Sequence, residues 1–292
     1  MSNFSSIGFL GTGIMGAGMV QNLLKNGFPV NILAHKNRVK IDRLVTYGAT
    51  ELCSLTDVAK KSDILILCLP NSHTVSAVLD TINPFLKTTT LIVDCTTNSV
   101  KAVERFQNQA TTSGYRYAEA PLTGGQKQAE MASLGAMVGC SEEDFNDVSA
   151  ALKPCCQTIE RMGNIGSGTK AKLVSNFLAL GTATLVVEAM KAARDFGVNW
   201  EKFYNLASRG SGRSMSLDRI APKAIQGDYK GYMFSITNTA KDFRYINDLF
   251  MEKDIELSKL AKWMLKQYED AETKGLGNSV LSQRLDPALM NR

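Results

Sequence analysis

A short apolar run, Ile7-Gly-Phe-Leu10, leads directly into Gly11-Thr12-Gly13-Ile14-Met15-Gly16 and then into a helix-compatible stretch reaching Asn26. Nothing else in the chain restricts the fold as tightly. A GxGxxG pattern alone is weak, because glycine-rich turns are common. Set between a strand and a helix, the three glycines allow the tight turn, the approach of a pyrophosphate to the backbone, and close helix–strand packing. The helix start then offers unpaired N–H groups and the positive end of the helix dipole to phosphates. Gly11, Thr12, Gly13, Ile14, Met15 and Gly16 are therefore expected to bind a dinucleotide.

The alternation continues beyond that unit. Val30–Leu33, Ile64–Leu69 and Leu91–Val93 read as further strands of a buried parallel sheet, with helical segments such as Arg38–Gly48 between them. Another pair of strands is expected near Tyr115–Ala118 and Leu134–Val138. This defines an α/β, Rossmann-type, doubly wound domain over residues 1–165, binding ligands beyond the carboxyl ends of its strands. After residue 165 the pattern changes. Lys170–Phe196 has no proline and one internal glycine and is apolar on most faces. Further helical segments follow at Trp200–Arg209, Ser216–Gln226, Ile236–Glu252 and Ile255–Thr273. Residues 166–292 are expected to form an all-helical domain for substrate binding and oligomerisation. A long helix with so little polar surface must be covered, so a homodimer or homotetramer built through this half is expected.

Composition narrows the partners. Hydrophobic residues make up 44% and charged residues 21%, which describes a soluble globular protein. The formal charge of +5 is carried without any lysine- or arginine-rich run, so a small polyanionic ligand fits better than nucleic acid. The six cysteines show no CxxC spacing and several sit in apolar runs, as free thiols in a reducing compartment would. With only His35 and His73 beside them, no structural zinc or other metal site is expected. The first residues, Met1-Ser-Asn-Phe-Ser-Ser6, lack a basic region followed by a long apolar core. No membrane association is expected, and the cytoplasm is the expected location.

The end of the second strand bears on the choice of cofactor. An NAD enzyme usually carries an aspartate or glutamate about 20 residues after the glycines, holding the ribose 2′-hydroxyl. Here the chain reads Leu33-Ala34-His35-Lys36-Asn37-Arg38, with no carboxylate. His35, Lys36 and Arg38 suit a 2′-phosphate, which favours NADP over NAD, although a solvated basic turn would read the same way. Leu69-Pro70 and Asp94-Cys-Thr96-Thr97 end two more strands at the edge that would face the nicotinamide. As residues alone they also fit ordinary turns, with an Asx-type cap at Asp94. Lys172 and Asn176 lie one helical turn apart, just after Gly163-Asn-Ile-Gly166-Ser-Gly168. An amine and an amide on one face beside a nicotinamide suit alcohol and carbonyl redox chemistry. That is the second constraint on function.

Taken together, these residues resemble the β-hydroxyacid dehydrogenase family over nearly the whole chain. The family's amino-terminal fingerprint appears as Gly11-Thr-Gly-Ile-Met15-Gly16-Ala-Gly-Met19, with Asn22-Leu-Leu-Lys25-Asn-Gly27. Its D-x-S-T turn is Asp94-Cys-Thr96-Thr97, and its A-P-V-S-G-G loop is Ala120-Pro-Leu-Thr123-Gly124-Gly125. Its catalytic helix is Gly166-Ser-Gly168-Thr-Lys-Ala-Lys172-Leu-Val-Ser175-Asn176, and its K-D pair is Lys241-Asp242. The resemblance implies hydride transfer between NAD(P) and a short-chain β-hydroxyacid or its semialdehyde, a small acidic hydroxyacid or aldehyde. It assigns Lys172 as general acid–base, a role open to a lysine whose proton is loosened by burial or nearby positive charge. It places Asn176 to orient the reacting groups and Lys241 beside the cofactor. Thr123 and the Gly124–Gly125 N–H groups would form a nest for the substrate carboxylate. Arg213 is a candidate partner for an acidic substrate group, or a surface arginine in a glycine-rich turn.

Thr123 stands for the usual serine and Ser175 for the first asparagine of the usual pair; Gln128 and Ala132 stand for glycines. Gly275-Leu-Gly277-Asn-Ser-Val280 lacks the aspartate often found there. These departures bear on substrate choice and not on reaction type. Three other readings use the same scaffold. A 6-phosphogluconate dehydrogenase would be longer and carry a histidine where this chain has Val174. An imine-reductase-like enzyme typically lacks the lysine. A non-catalytic dinucleotide-binding reader loses it and adds targeting domains.

Overall fold

A computed structural model of the chain describes residues 5–33, 38–253 and 255–290. The first half runs β1 (Ile7–Leu10), α1 (Gly16–Lys25), β2 (Val30–Leu33), α2 (Arg38–Thr46), β3 (Thr50–Leu52), α3 (Leu55–Lys60), β4 (Ile64–Leu67) and α4 (Ser72–Ile82). It continues with β5 (Leu91–Asp94), α5 (Val100–Ser113), β6 (Arg116–Glu119), β7 (Leu122–Thr123), α6 (Gln126–Glu130), β8 (Leu134–Gly139), α7 (Glu142–Leu152), β9 (Cys156–Gly163) and α8 (Ser167–Asp195).

The strands form one sheet in the order β3-β2-β1-β4-β5-β6-β8-β7, with β9 paired to β8. From β3 to β6 it is parallel: Ile7 lies opposite Val30 on one side and Ile64 on the other, and Leu91 opposite Ile64 and Arg116. Strands β1, β4 and β5 are buried at every residue, as unbroken apolar runs require when helices cover both faces. Alternate residues divide between two cores. Phe9, Ile32 and Ile66 pack with Met19 and Leu23 of α1, and Leu10, Leu65 and Ile92 pack with Val75, Leu79 and Phe106 from α4 and α5. The order reverses between β1 and β4, which is where a doubly wound sheet opens a crevice at its carboxyl edge.

The expected strands form, with small shifts at their ends. Three others gave no signal in the sequence. Strand β3 is three residues long, β7 two, and β9 carries Gln157, Thr158, Glu160 and Arg161, so none presents an apolar run. Strands β7 and β8 are antiparallel, and β9 is parallel to β8.

Two compact units emerge, Met1–Lys172 and Leu173–Arg292. An expected division at 165/166 falls before α8, whereas the observed one falls inside it. Gly168 and Thr169 are bonded to Glu119 of β6, so the start of α8 belongs to the sheet unit.

The second unit holds the rest of α8, then α9 (Trp200–Ala207), α10 (Met215–Ile225), α11 (Ile236–Met251), α12 (Ile255–Thr273), a 3₁₀ turn at Leu281–Leu285 and α13 (Pro287–Met290). Among the described residues it has no strand, only an isolated bridge between Ser235 and Val280. By length and composition α8 could cross a membrane, and 44% of its most apolar window is buried within the protein. Its inner side meets other helices through polar as well as apolar contacts. Phe177 sits edge-on to Phe250, the Thr184 hydroxyl is 2.6 Å from that of Tyr268, and Glu188 is 2.7 Å from Arg284. Its outer side leaves Val174, Leu178 and Leu185 more than half exposed.

Candidate active site

The turn after β1 is built as its glycines require. Gly11 has φ +107°, where a side chain is strained, and a Cβ on it would collide with the Cys68 carbonyl of the neighbouring strand end. A Cβ on Gly16 would collide with the Gly11 carbonyl, so α1 begins directly against the turn. At Gly13 the situation is opposite: a Cβ would meet nothing within 4 Å. Helix α1 has no side-chain cap and no acidic residue in its first turn, whereas α3, α4, α5 and α7 are capped by Ser54, Asn71, Ser99 and Ser141. An open space over Gly13 facing uncapped N–H groups fits a pyrophosphate. Lys40 Nζ donates to the Gly13 carbonyl at 3.2 Å, bringing a cation to the turn that the sequence pattern did not single out.

At the ends of β4 and β5 the loops are joined. The Leu69 N–H donates to Thr96 Oγ1 at 3.0 Å. Asp94, wholly buried, accepts from the Thr96 N–H (2.9 Å), Asn98 Nδ2 (2.7 Å) and the Tyr117 hydroxyl (3.1 Å). Burial raises its carboxyl to about 6, and these donors offset only part of that. Asp94 thus makes the Asx-type turn anticipated for it. Thr96 is buried and so shapes the loop, while Thr97 is half-buried. Pro70 precedes Asn71, whose side chain caps α4 by accepting from the Thr74 N–H.

Of the basic residues after β2, His35 and Lys36 lie outside the described residues. Arg38 opens α2, and its guanidinium is held by both oxygens of Glu51 and by Asp42 Oδ1, the latter at 2.7 Å. The Arg38 hydrogen bond keeps the Glu51 carboxyl below its ordinary value. A carboxylate from β3 thus neutralises the cation that opens α2. Glu51, Leu33, Leu52 and Cys53 line a cavity of about 330 Å³ at the carboxyl ends of β2 and β3, on the sheet edge where a dinucleotide lies.

The loop carrying Thr123, Gly124 and Gly125 is tied back to α1 through α6. Asn22 of α1 donates to the Ala129 carbonyl of α6 at 2.7 Å, and a Cβ on Gly18 would press on the same peptide. Thr123 is exposed, and it lines an open cavity of about 410 Å³ with Gly124, Met137 and Met162. Gly124 has φ +119°, with no room for a Cβ beside Leu134. The Gly125 N–H donates to Gln128 Oε1 at 3.0 Å, so the glutamine that replaces a family glycine takes one of the two expected nest donors.

Lys172 lies in α8 at 9% exposure, while Lys170 in the same turn is exposed. Asn176, one turn on, donates through Nδ2 to Asp242 Oδ2 at 2.8 Å. Lys241 Nζ is 3.0 Å from Asp242 Oδ1, and Asp242 is only 1% exposed. The amide and Lys241 therefore share one buried carboxylate. Arg213, largely exposed between α9 and α10, pairs with Asp218 at 3.3 Å. Sequence reasoning passed over Lys40, Glu51, Glu119 and the role of Asp242. Only Glu119 left a readable sign, an acid inside the apolar strand end Tyr117-Ala-Glu-Ala120.

A glycine turn on the reversal edge of a doubly wound sheet, followed by a helical unit, defines a dinucleotide-dependent oxidoreductase. Comparison with known proteins gives the particular family. Residues 6–163 match the NAD binding domain of 6-phosphogluconate dehydrogenase, and residues 166–285 match the NAD-binding domain of NADP-dependent 3-hydroxyisobutyrate dehydrogenase. The chain is 32% identical over 287 residues to the mitochondrial 3-hydroxyisobutyrate dehydrogenase of Drosophila melanogaster, covering 95% of this chain and 87% of that protein. It is 30% identical over 287 residues to the 2-(hydroxymethyl)glutarate dehydrogenase of Eubacterium barkeri, covering 97% and 94%. Its fold is that of the Mycobacterium tuberculosis 3-hydroxyisobutyrate dehydrogenase determined with L-serine, with TM-score 0.85 and 23% identity over 98% of each chain. The chain belongs to the β-hydroxyacid dehydrogenase family, NAD(P)-dependent oxidoreductases acting on CH–OH groups.

Proposed function

We propose that this protein interconverts a short-chain β-hydroxyacid and its semialdehyde, with Lys172 carrying the hydroxyl proton. The observation that carries this reading is the burial of Lys172 at 9% exposure in a helix otherwise so apolar. An amine withdrawn from water is of use to a fold only if it has chemistry or a partner to serve. The nicotinamide, when bound, supplies or accepts the hydride. In oxidation the alcohol O–H proton passes to Lys172 Nζ as hydride leaves the carbinol carbon; in reduction Lys172 returns a proton to the carbonyl oxygen. Asn176, held by Asp242, keeps its carbonyl oxygen for orienting the reacting groups. Thr123 Oγ1 and the Gly124 N–H are the proposed carboxylate contacts. The substrates for which those relatives are named, 3-hydroxyisobutyrate and 2-(hydroxymethyl)glutarate, are both β-hydroxyacids. NADP is the proposed preferred cofactor.

Replacing Lys172 with alanine tests the assignment. Turnover on a reactive semialdehyde is expected to fall by about 10²–10⁴-fold, the usual worth of a general acid–base group. Cofactor affinity should hold, because the phosphates rest on Gly11–Gly16. A variant retaining more than about a tenth of wild-type turnover would remove Lys172 from the role.

The exposed stripe of Val174, Leu178 and Leu185 on α8, reaching Phe196 at 86% exposure, supports a homodimer or homotetramer through the helical unit. Light scattering at micromolar concentration is expected to report one of these, and a monomer would refute it.

A further inference from the structure

Glu119 ends β6 at 1% exposure, and the proposed proton transfer gives it no part. Its Oε1 accepts from the Gly168 N–H at 3.0 Å, and its Oε2 from the Thr169 N–H at 3.1 Å and from the Thr169 hydroxyl. Both N–H groups belong to the set that a helix start leaves without an internal partner, and they open α8. The space for this carboxylate is made by glycines. Gly139, opposite Glu119 in the β6–β8 register, has no room for a Cβ beside Glu119 Oε1. A Cβ on Gly168 would collide with the Met137 carbonyl. Two strands and a helix therefore close on one buried carboxyl without slack.

Lys172 lies three residues beyond Thr169 and four beyond Gly168, one turn along the same face. Helix side chains lean back over the turn that precedes them. Where the first turn of α8 sits therefore decides where the Lys172 amine arrives. We propose that Glu119 is a positioning residue for Lys172: as a carboxylate accepting from the first turn of α8, it fixes the turn from which the lysine projects. This rests on the reading of Lys172 as the proton carrier.

Ionisation gives the inference a pH signature. Burial raises the Glu119 carboxyl from 4.5 to about 7, and the bonds from Thr169, Gly166 and Gly168 offset part of that. The titratable and charged groups around it are Asp94 opposite on β5, Tyr117 on β6, Cys140 just past β8, and Arg161 bonded to the Cys140 carbonyl; Lys170 and Lys172 follow on α8, the former exposed. Burial also raises Asp94, to about 6, and Tyr117 and Cys140 stay protonated through neutrality. Glu119 and Asp94 are thus both carboxyls that burial pushes up towards neutrality. When Glu119 is protonated, it loses the negative charge that strengthens its bonds from Gly168 and Thr169, and its hold on the first turn of α8 weakens. Because the folded value lies above the ordinary one, the group favours folding below about pH 4.5, and that contribution is lost as pH rises through about 7. Ionisation costs stability while it positions the lysine, and this separates the two roles.

The test is Glu119→Gln, assayed with NADPH and a semialdehyde from pH 5.5 to 9 beside Lys172→Ala. A misplacement of about 1 Å can cost about 10²-fold in rate. At pH 8, kcat of Glu119→Gln is expected to fall about ten- to a hundredfold. KM and NADPH affinity should stay within about threefold, and the acid limb of kcat near 7 should vanish. Wild-type kcat with that limb retained, or a loss of kcat that merely follows a loss of folded enzyme by circular dichroism, would overturn the proposal. If Glu119→Gln does not fold, Thr169→Val removes one donor and is expected to lower kcat in the same way; an unchanged kcat there would overturn it too. An active Lys172→Ala would instead indict the reading on which the proposal rests. An inactive Lys172→Ala with an unaltered Glu119→Gln indicts only the proposal.

Discussion

Helices α1 and α8 both begin after glycine-bearing turns, and both present a row of unpaired N–H groups, yet the two starts are finished in opposite ways. That of α1 has no side-chain cap and faces open space at Gly13. That of α8 is filled by the Glu119 carboxylate, reached from 49 residues earlier in the chain. The same donors and the same helix dipole are open to an external anion in one place and hold an internal one in the other. A glycine pattern alone therefore does not distinguish a ligand cradle from a structural anchor. What distinguishes them is whether the fold brings its own carboxylate.

The comparison is most sharply tested at its two glycines. Gly13→Asp fills the open cradle with a negative charge. Juxtaposing like charges costs several kcal/mol, so NADPH affinity is expected to fall at least about 100-fold by fluorescence titration, with little change in melting temperature. Tight binding by that variant would show that the cradle is not where the phosphates lie. Gly168→Ala should behave in reverse. Its Cβ presses on the Met137 carbonyl, and overpacking of this kind costs about 1–3 kcal/mol. Thermal and denaturant unfolding are expected to show that loss while the folded enzyme still binds NADPH. A Gly168→Ala protein as stable as wild type would mean that α8 does not close on the sheet as described.

The smallest expected effect concerns the far end of the cofactor. A charge-assisted contact to a 2′-phosphate is worth about 1.5–3 kcal/mol. Arg38 already holds Glu51 and Asp42, which cuts the margin, so NADPH is expected to bind about tenfold tighter than NADH. Equal or tighter NADH binding would reverse the assignment and make Glu51 the group that meets the ribose.

Much of the fold was legible in the chain, for reasons that can be named. The buried strands β1, β4 and β5 are unbroken apolar runs, and the glycines between β1 and α1 occupy positions that exclude side chains at Gly11 and Gly16. Helix α8 announced itself as the proline-free stretch Lys170–Phe196 with a single internal glycine, Gly181, and forms over Ser167–Asp195. Strands β3 and β9 were not legible, because a three-residue strand and a polar edge strand carry no periodic signal. Nor was the occupied Gly125 N–H, although Gln128 was visible as a departure from the family pattern.

The sequence by itself determined the doubly wound half, the helical half, the cofactor turn, and the spacing that sets Lys172 and Asn176 one turn apart. All of these are local periodicities or fixed short spacings, and a chain imposes them wherever it goes. Only the tertiary structure decided which charge meets which. It joined Arg38 to Glu51, Asn176 to Asp242 across 66 residues, and the start of α8 to Glu119. A buried polar group must find a partner, but the chain does not state which one until the fold has brought distant segments within 3 Å of each other.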